Sequence, residues 1–161
     1  ANRDLRTALV LGAGGAARAA FRYLADRGCE TRILARNPAK ALDVAQSCGA
    51  SPAAYAFEAG SGAFAGADVL INATQLGMTG QDPMPDFVIE QLGELADDAL
   101  VFDMVYAPLE TGLLRAARKR GLKTADGLTM LVGQAASAFE RFFGCAPDRS
   151  ADAALRRELV S

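Results

Sequence analysis

Short apolar runs alternate along the chain with segments whose apolar residues recur at helical spacing. The first run, Thr7 to Leu11, stops at a glycine. Behind it the apolar positions are three and four residues apart: Ala17, Ala20, Phe21 and Leu24. That spacing places all four side chains on one face of a helix, so the pattern predicts a strand followed by a helix.

The same unit recurs directly afterwards. Thr31 to Ala35 is a second apolar run, and a second helical pattern follows it. Its apolar positions are Ala41, Val44, Ala45 and Cys48. Asn37 and Pro38 stand at its start. Asparagine caps the free N–H groups of a helix, and proline is well tolerated at the first helical position, so the second helix is predicted to begin here.

Two later runs, Asp68 to Asn72 and Ala99 to Asp103, are apolar through their middles. Continuous apolar strands are typical of a parallel sheet that is covered on both faces. A weaker third strand is predicted near Tyr55, and a short helix is predicted before Gly66.

The remaining elements are predicted from the same spacing. They are a helix over Leu109 to Arg120, a strand over Leu122 to Thr124, a long helix over Leu128 to Phe142, and a last helix that Ser150 caps and that runs through Leu159. Gly121 and Gly144 follow two of these helices, and glycine commonly ends a helix.

Strands that alternate with helices form right-handed βαβ units, and these units build an open parallel sheet with helices on both faces. The pattern therefore predicts one doubly wound α/β domain over residues 1–161. In this architecture ligands bind beyond the carboxyl ends of the strands, so the residues that follow each strand are the candidate site residues.

A glycine-rich turn follows the first strand. Its sequence is Gly12-Ala13-Gly14-Gly15-Ala16-Ala17, a G-x-G-G-x-A variant of the dinucleotide fingerprint. Gly12 permits a tight turn, and Gly14 and Gly15 allow backbone N–H groups to approach a pyrophosphate. An alanine-rich turn without a ligand is the plainer reading. Because the motif follows a strand and opens a helix, it favours a Rossmann NAD(P)-binding domain.

The end of the second strand bears on the choice of cofactor. An NAD site usually has an Asp or Glu here for the ribose 2′-hydroxyl, but this chain has Ala35-Arg36-Asn37-Pro38-Ala39-Lys40. Arg36 can make a forked contact to a 2′-phosphate, and Lys40 is a cation in the first turn of a helix, where an anion is favoured. The two cations could also be solvated. The arrangement favours NADP over NAD.

Polar residues also follow the later strands. Taken one at a time they have ordinary structural roles: Asp103 and Asp126 as helix caps, Tyr106 as a loop anchor, and Gln134 as an exposed polar residue.

Composition narrows the function classes. The chain has 161 residues, is 51% hydrophobic and 22% charged, and carries a net charge of −2, which argues against disorder and against nucleic-acid binding. It has no histidine, which excludes His-type zinc sites and Ser-His or Cys-His nucleophile pairs.

Its three cysteines are widely spaced, so no metal site is predicted and a reducing cytoplasm is expected. No apolar stretch suits a membrane span, and the first residues do not resemble a signal peptide.

Taken together, five segments resemble the C-terminal NADP-binding domain of the shikimate dehydrogenase family. They are GAGGAARA (12–19), ARNPAK (35–40), INATQLGM (71–78), FDMVYAPLETGLL (102–114) and DGLTMLVGQAASAFERFFG (126–144). The resemblance implies NADPH-dependent reduction of 3-dehydroshikimate to shikimate. The family usually has Asn-Arg-Thr or Asn-Arg-Ser where this chain has Ala35-Arg36-Asn37, so selectivity for NADP is expected to be softer.

The resemblance also implies a role for each site residue. The cofactor-binding residues are Gly12, Ala13, Gly14, Gly15 and Ala16 for the pyrophosphate, Arg36, Asn37 and Lys40 for the 2′-phosphate, and Thr74, Met104, Gly127 and Met130 for the adenosine or nicotinamide. The substrate-binding residues are Tyr106 and Gln134. In the family, the proton is handled by a lysine and an aspartate of an N-terminal substrate domain that this sequence does not show.

No catalytic residue is therefore predicted within this chain, and the chain alone is expected to bind NADP(H) without turnover. The helices over about 128–161 are expected to pack toward that substrate domain, which would share the small-molecule substrate, and their apolar surface could drive formation of a homodimer. Two alternatives stay open: a quinate/shikimate dehydrogenase domain that uses NAD, and a non-catalytic nucleotide-sensing module.

Overall fold

The computed structural model describes residues 5–159, and residues 1–4 and 160–161 of the predicted domain lie outside that range. The strands are Thr7–Leu11 (β1), Glu30–Ala35 (β2), Ala53–Ala56 (β3), Val69–Asn72 (β4), Leu100–Asp103 (β5) and Lys123–Ala125 (β6). The helices are Gly15–Ala25 (α1), Pro38–Ser47 (α2), Asp86–Gln91 (α3), Gly112–Lys119 (α4), Gly127–Phe143 (α5) and Asp152–Glu158 (α6). Two 3₁₀ turns, Leu92–Glu94 and Arg149–Ala151, precede β5 and α6.

The six strands form one parallel sheet in the order β3-β2-β1-β4-β5-β6. Strands β2 and β3 are added on one side of β1, and β4, β5 and β6 are added on its other side. Leu11, the last residue of β1, is in register with Leu34 of β2 and Asn72 of β4. This reversal of strand order beside β1 is the place where doubly wound folds open a crevice for ligands. The predicted fold class is confirmed.

The sheet is buried on both faces, which explains its continuous apolar strands. Alternate residues of β1 point to opposite sides: Ala8 and Val10 belong to one core cluster, and Leu9 and Leu11 belong to the other. Helices α1 and α2 cover the first cluster, and α3 and α4 cover the second. All four residues of β1 named here have no exposed surface.

The first two helices form as their spacing predicts. The buried residues of α1 are Ala17, Ala20, Phe21 and Leu24, the four that define its apolar stripe. Helix α2 begins at Pro38, and the Asn37 side chain accepts a hydrogen bond from the backbone N–H of Lys40 at 3.0 Å. The predicted cap and first residue of α2 are confirmed.

Four local predictions need correction. Leu109 lies outside α4 because Thr111 caps that helix, accepting from the N–H of Leu114. The residues before Gly66 form turns rather than a short helix, and Gly60 and Gly62 within that segment have positive φ, which a helix does not allow. The sixth strand, Lys123–Ala125, lies one residue later than predicted.

The fourth correction concerns the last helix. Ser150 does not cap it, because Ser150 lies within a 3₁₀ turn and donates its backbone N–H to the Asp148 side chain at 2.8 Å. Helix α6 starts at Asp152. Aspartate competes well with serine as a capping acceptor, and here it stands two residues earlier in the chain.

The C-terminal helices are attached to the sheet only at the start of α5. Gly127, Leu128 and Val132 are its buried residues, whereas Phe142 and Phe143 are 84% and 68% exposed. Helix α6 has no buried residue. Within residues 5–159, no helix has both the length and the apolar character that a bilayer crossing requires.

Candidate functional site

A cleft of about 1120 Å³ opens along the carboxyl edge of the sheet. Its walls come from the segments that follow β1, β2, β4 and β5, together with the first turns of α1, α2 and α5. The strand order places the ends of β2 and β5 three strand spacings apart, or about 14 Å. The cleft is therefore long enough for an extended ligand that touches all four segments.

The glycine turn forms the middle of the cleft. Gly12 has a φ of +88° and donates its N–H to the carbonyl oxygen of Leu34 at 2.9 Å. A Cβ at Gly12 would lie 2.7 Å from the Thr74 methyl carbon Cγ2, so both backbone angle and space require glycine here.

Gly14 and Gly15 differ from Gly12, because a Cβ at either position would meet no protein atom within 4 Å. Gly14 is the N-cap of α1, and no side chain caps this helix or places an acid in its first turn. The first N–H groups of α1 thus have no side-chain acceptor and lie beside the cleft, which is the arrangement that binds phosphate oxygens.

A cationic end lies beyond β2. Arg36 and Lys40 are both exposed and both line the cleft. Within the described part of the chain, no carboxylate forms an ion pair with either side chain, and α2 has no acid in its first turn. The side-chain oxygen of Asn37 caps α2, and its side-chain NH₂ group can still donate a hydrogen bond.

Two methionines line the other end of the cleft. Met104 and Tyr106 follow β5, and Met130 is the fourth residue of α5; all three line the cleft. Tyr106 is 54% exposed, so its phenol is accessible from the cleft mouth.

Two predicted site residues do not line the cleft. A Cβ at Gly127 would lie 2.3 Å from the carbonyl oxygen of Met104, and the Gly127 N–H donates to the carbonyl oxygen of Val105 at 3.2 Å. Gly127 therefore lets α5 begin against the segment after β5. Gln134 is exposed one turn beyond Met130, on the part of α5 that leaves the sheet.

The structure brings the other predicted residues together around the cleft. They are Gly12, Ala13, Gly14, Gly15, Ala16, Arg36, Asn37, Lys40, Thr74, Met104, Met130 and Tyr106. Phe57, after β3, also lines the cleft and packs edge-on against Phe87 of α3, with ring centroids 5.4 Å apart. The helical and strand patterns could not indicate Phe57, because it lies in an irregular turn.

Two buried polar residues support the cleft from below. Asn72 and Asp103 are the last residues of β4 and β5, are paired in register, and have no exposed surface. Asp103 does not cap a helix. Burial raises the pKa of its carboxyl group, and hydrogen bonds from Thr111, Val105 and Asn72 act in the opposite direction. A polar residue at the end of each of two paired apolar strands is the sequence signal for this site.

Asp126, by contrast, has the ordinary structural role of a helix cap. Its side chain accepts from the N–H of Thr129 at 3.0 Å at the start of α5. It also pairs with Arg156 of α6, whose hydrogen bond holds the pKa of the Asp126 carboxyl group below its usual value. This pair attaches α6 to α5.

The described residues contain no group of three or more histidine, cysteine or acidic side chains placed to hold a metal ion. Cys29, Cys48 and Cys145 are free thiols.

Comparison with known proteins identifies relatives over almost the whole chain. Residues 2–79 match the family described as shikimate / quinate 5-dehydrogenase, and residues 127–154 match the shikimate 5′-dehydrogenase C-terminal domain. A shikimate dehydrogenase (NADP(+)) of Sphingopyxis alaskensis is 47% identical over 153 residues, which cover 94% of this chain and 53% of that protein. The chain thus spans about half the length of the curated relatives it matches.

Solved structures give the same picture. The quinate dehydrogenase of Corynebacterium glutamicum in complex with NAD superposes with a TM-score of 0.80 at 30% identity, covering 99% of this chain and 56% of that one. The shikimate 5-dehydrogenase of Thermus thermophilus in complex with NADP(H) and shikimate gives a TM-score of 0.76 at 36% identity, covering 94% and 54%.

Proposed function

The chain belongs to the shikimate and quinate dehydrogenase family, and we propose that it binds NADP(H) and presents the nicotinamide for reduction of 3-dehydroshikimate to shikimate. The observation that carries the proposal is the continuous cleft. It joins the glycine turn, a cationic end and a methionine-lined end at the edge where doubly wound folds bind dinucleotides.

The glycine turn suits the pyrophosphate. Backbone N–H groups at the start of α1 face a space that no side chain enters, because Gly14 and Gly15 have no Cβ there. In this proposal residues 12–16 hold the pyrophosphate, and the positive end of the α1 dipole adds to the attraction.

The cationic end suits the ribose 2′-phosphate. Arg36 and Lys40 have no carboxylate partner among the described residues, and a dianionic phosphate would supply one. Asn37 adds its NH₂ group. None of the described lining residues from the end of β2 into α2 is a carboxylate that could bind a free 2′-hydroxyl, so we propose that the cleft prefers NADP(H) to NAD(H).

The methionine-lined end suits the nicotinamide. Met104 and Met130 offer polarisable apolar surface to a planar ring, and Thr74 stands between this end and the glycine turn. In this proposal Tyr106 and Gln134 extend toward the substrate, with Gly127 holding the start of α5 in place. The cofactor supplies the hydride, which adds to the carbonyl carbon of the ketone while a proton goes to the oxygen.

We propose that the proton comes from a group outside the cleft. Tyr106 is the one phenol that lines the cleft within residues 5–159, and no side-chain hydrogen bond joins it to a basic partner there. Lys119 and Lys123 lie at the end of α4 and in β6, and neither lines the cleft. We therefore assign no catalytic residue to this chain and propose that a substrate-binding half of the enzyme supplies the proton donor.

The exposed face of the C-terminal helices is the proposed contact for that half. Phe139, Phe142 and Phe143 of α5 lie exposed beside one another, and the Phe139 and Phe143 ring centroids are 4.5 Å apart. The matched relatives are about twice as long as this chain, so they contain enough additional residues to form a second domain. In this proposal the shikimate site lies between the two halves, and the reaction takes place in the cytoplasm, with the three thiols reduced.

The test is a binding titration followed by an activity assay. NADPH should bind the 161-residue chain, as measured by calorimetry, and NADP⁺ with shikimate should give no increase in absorbance at the NADPH band. A single polypeptide that adds the N-terminal half of the Sphingopyxis relative should reduce 3-dehydroshikimate. Absence of NADPH binding would refute the proposal, and turnover by the chain alone would refute its division of labour.

Two alternatives predict different results. The NAD-bound quinate dehydrogenase among the structural neighbours favours a comparison of NADP⁺ with NAD⁺, and tighter NAD⁺ binding would support a quinate/shikimate dehydrogenase domain that uses NAD. Cofactor binding with no activity after the second half is added would support a nucleotide-sensing module.

A concentration-dependent dimer in sedimentation experiments would place a second copy of the chain on the exposed face of α5.

A further inference from the structure

A cluster of four polar side chains lies below the floor of the cleft, at the ends of β4 and β5. We call Asn72, Thr74, Asp103 and Thr111 the polar hub. Asn72, Asp103 and Thr111 are almost completely buried, with at most 1% of their surface exposed. The polar hub interrupts an otherwise apolar sheet, and a buried carboxylate is costly unless it is fully hydrogen-bonded.

Asp103 accepts three hydrogen bonds. Its Oδ1 accepts from Asn72 Nδ2 at 2.9 Å and from the Val105 N–H at 3.0 Å. Its Oδ2 accepts from Thr111 Oγ1 at 2.6 Å, and Thr111 Oγ1 in turn accepts from the N–H of Leu114. Every partner is a donor, so the arrangement suits an ionised carboxylate, which only accepts.

Asn72 extends the polar hub to the segment after β4. Its Nδ2 also donates to the carbonyl oxygen of Leu76 at 3.2 Å. Its Oδ1 accepts from the backbone N–H of Thr74 at 3.0 Å and from Thr74 Oγ1 at 2.6 Å. Through one amide, the conformation of the turn after β4 is thus connected to a carboxylate on β5.

The Thr74 side chain has no hydroxyl proton left for a ligand. That proton goes to Asn72, and the hydroxyl oxygen accepts from the N–H of Leu76 at 3.1 Å. The Thr74 methyl group instead packs against the glycine turn, 2.7 Å from where a Cβ of Gly12 would be. Thr74 therefore acts on a ligand by its shape, and the polar hub determines where its methyl group stands.

Both segments that the polar hub holds are walls of the cleft. Residues 73–76 follow β4 and residues 104–106 follow β5, and all seven line it. Of the two cations, Arg36 follows β2 and Lys40 lies in the first turn of α2, and among residues 5–159 neither side chain has a hydrogen bond with the polar hub. A change at Asp103 is thus expected to reach the methionine-lined end and to spare the cationic end.

We propose that Asp103 is a positioning residue for the nicotinamide half of the cofactor, acting through Asn72 and the Val105 N–H. This inference rests on the proposed function. Asp103 does not touch the cofactor; it keeps the two strand exits at the separation that a nicotinamide ring requires.

The decisive experiment compares two ligands that share the adenosine end. NADPH occupies the whole cleft, whereas adenosine 2′,5′-bisphosphate has a 2′-phosphate but no nicotinamide. Asp103→Ala should raise the Kd of NADPH about tenfold and leave the Kd of adenosine 2′,5′-bisphosphate within about twofold of the wild type. The fluorescence shift of NADPH on binding, which reports the surroundings of the reduced ring, should decrease in the same variant.

Asp68→Ala is the matched control. Asp68 is a buried aspartate at the opposite, amino end of the sheet, where its Oδ2 accepts from the N–H groups of Arg6 and Thr7. Its removal leaves two backbone N–H donors without their acceptor at the end of the sheet opposite the cleft. It should lower the melting temperature without changing either Kd. Asp103→Asn keeps an acceptor oxygen for Asn72 and Val105 and should restore most of the NADPH affinity.

The binding measurements on a folded Asp103 variant support or overturn the positioning role. If Asp103→Ala does not fold, Asp103→Ser replaces it, because a water molecule has room beside the shorter side chain. Wild-type NADPH affinity in the folded variant, or equal weakening of both ligands, would overturn the positioning role alone. A wild-type chain that binds neither ligand would overturn the proposed function and this inference together.

Discussion

Replacing Arg36 by alanine tests the cofactor choice most directly. Arg36 lines the cationic end of the cleft, and no carboxylate pairs with it among the described residues. The substitution should therefore cost folding little, since no internal contact of the guanidinium is lost. In the proposed function it removes a partner for the 2′-phosphate, the group that distinguishes NADP from NAD.

The size of the effect follows from the exposure of the site. A hydrogen bond between charged groups contributes about 1.5–3 kcal/mol, and an exposed position favours the lower value. A loss of about 1.5 kcal/mol raises the Kd of NADP⁺ about tenfold. Lys40→Ala should have a similar effect, and the two losses should add incompletely because both cations would contact one phosphate.

Isothermal titration calorimetry with NADP⁺ and NAD⁺ gives the required comparison. Arg36→Ala should weaken NADP⁺ and leave NAD⁺ within about twofold, and 0.5 M salt should reduce the wild-type preference because exposed charges are screened. Arg18→Ala is the control, since Arg18 is exposed on α1 and does not line the cleft. An unchanged ratio of the two Kd values in Arg36→Ala would refute the assignment of the 2′-phosphate.

Three further predictions concern the glycines and the C-terminal attachment. Gly12→Ala should lower the free energy of unfolding by about 1–2 kcal/mol in urea titrations, because φ is positive and the new Cβ would overlap Thr74. Gly15→Ala, which meets no protein atom, should fold as well as the wild type yet weaken NADPH binding, and unchanged NADPH affinity would contradict the pyrophosphate assignment. The hydrogen bond from Arg156 lowers the pKa of Asp126 in the folded protein. The ionised Asp126 therefore adds about 1 kcal/mol to the free energy of unfolding at pH values above its unfolded pKa of about 3.9, and this stabilisation is lost as the pH falls through the folded pKa. Stability of Asp126→Asn should consequently depend less on pH below 5 than that of the wild type, and parallel pH profiles would exclude the pair as the cause.

The fold could be predicted from the sequence because its strongest signals are repeated and local. Strands that are buried on both faces appear in the sequence as continuous apolar runs. The four apolar positions at helical spacing in α1 are the four residues that this helix buries. The position of the cleft could be predicted from the topology, since most of its lining residues lie in the segments that follow the strands. The predicted residues at the ends of β1, β2, β4 and β5 do converge there, although their contacts with a cofactor stay a prediction.

Other features depend on tertiary contacts that spacing does not encode. Helix α3 has six residues and one buried side chain, too few for a helical stripe to be recognised. The stripe of α5 continues to Phe142, but only its first turns meet the sheet. The role of Gly127 follows from its approach to the Met104 carbonyl oxygen, a contact between segments that are far apart in sequence.

Three features that cost folding free energy lie at the carboxyl edge of the sheet. Helix α1 begins without a side-chain cap, α2 carries Lys40 in a first turn that favours anions, and β5 ends in a buried carboxylate. Helix α4, by contrast, has an ordinary cap at its start, the side chain of Thr111. A sequence under selection for stability alone would have little reason to collect these departures together. The proposed NADP(H) would offset the first two costs with its phosphates, and the proposed positioning role of the polar hub would account for the third.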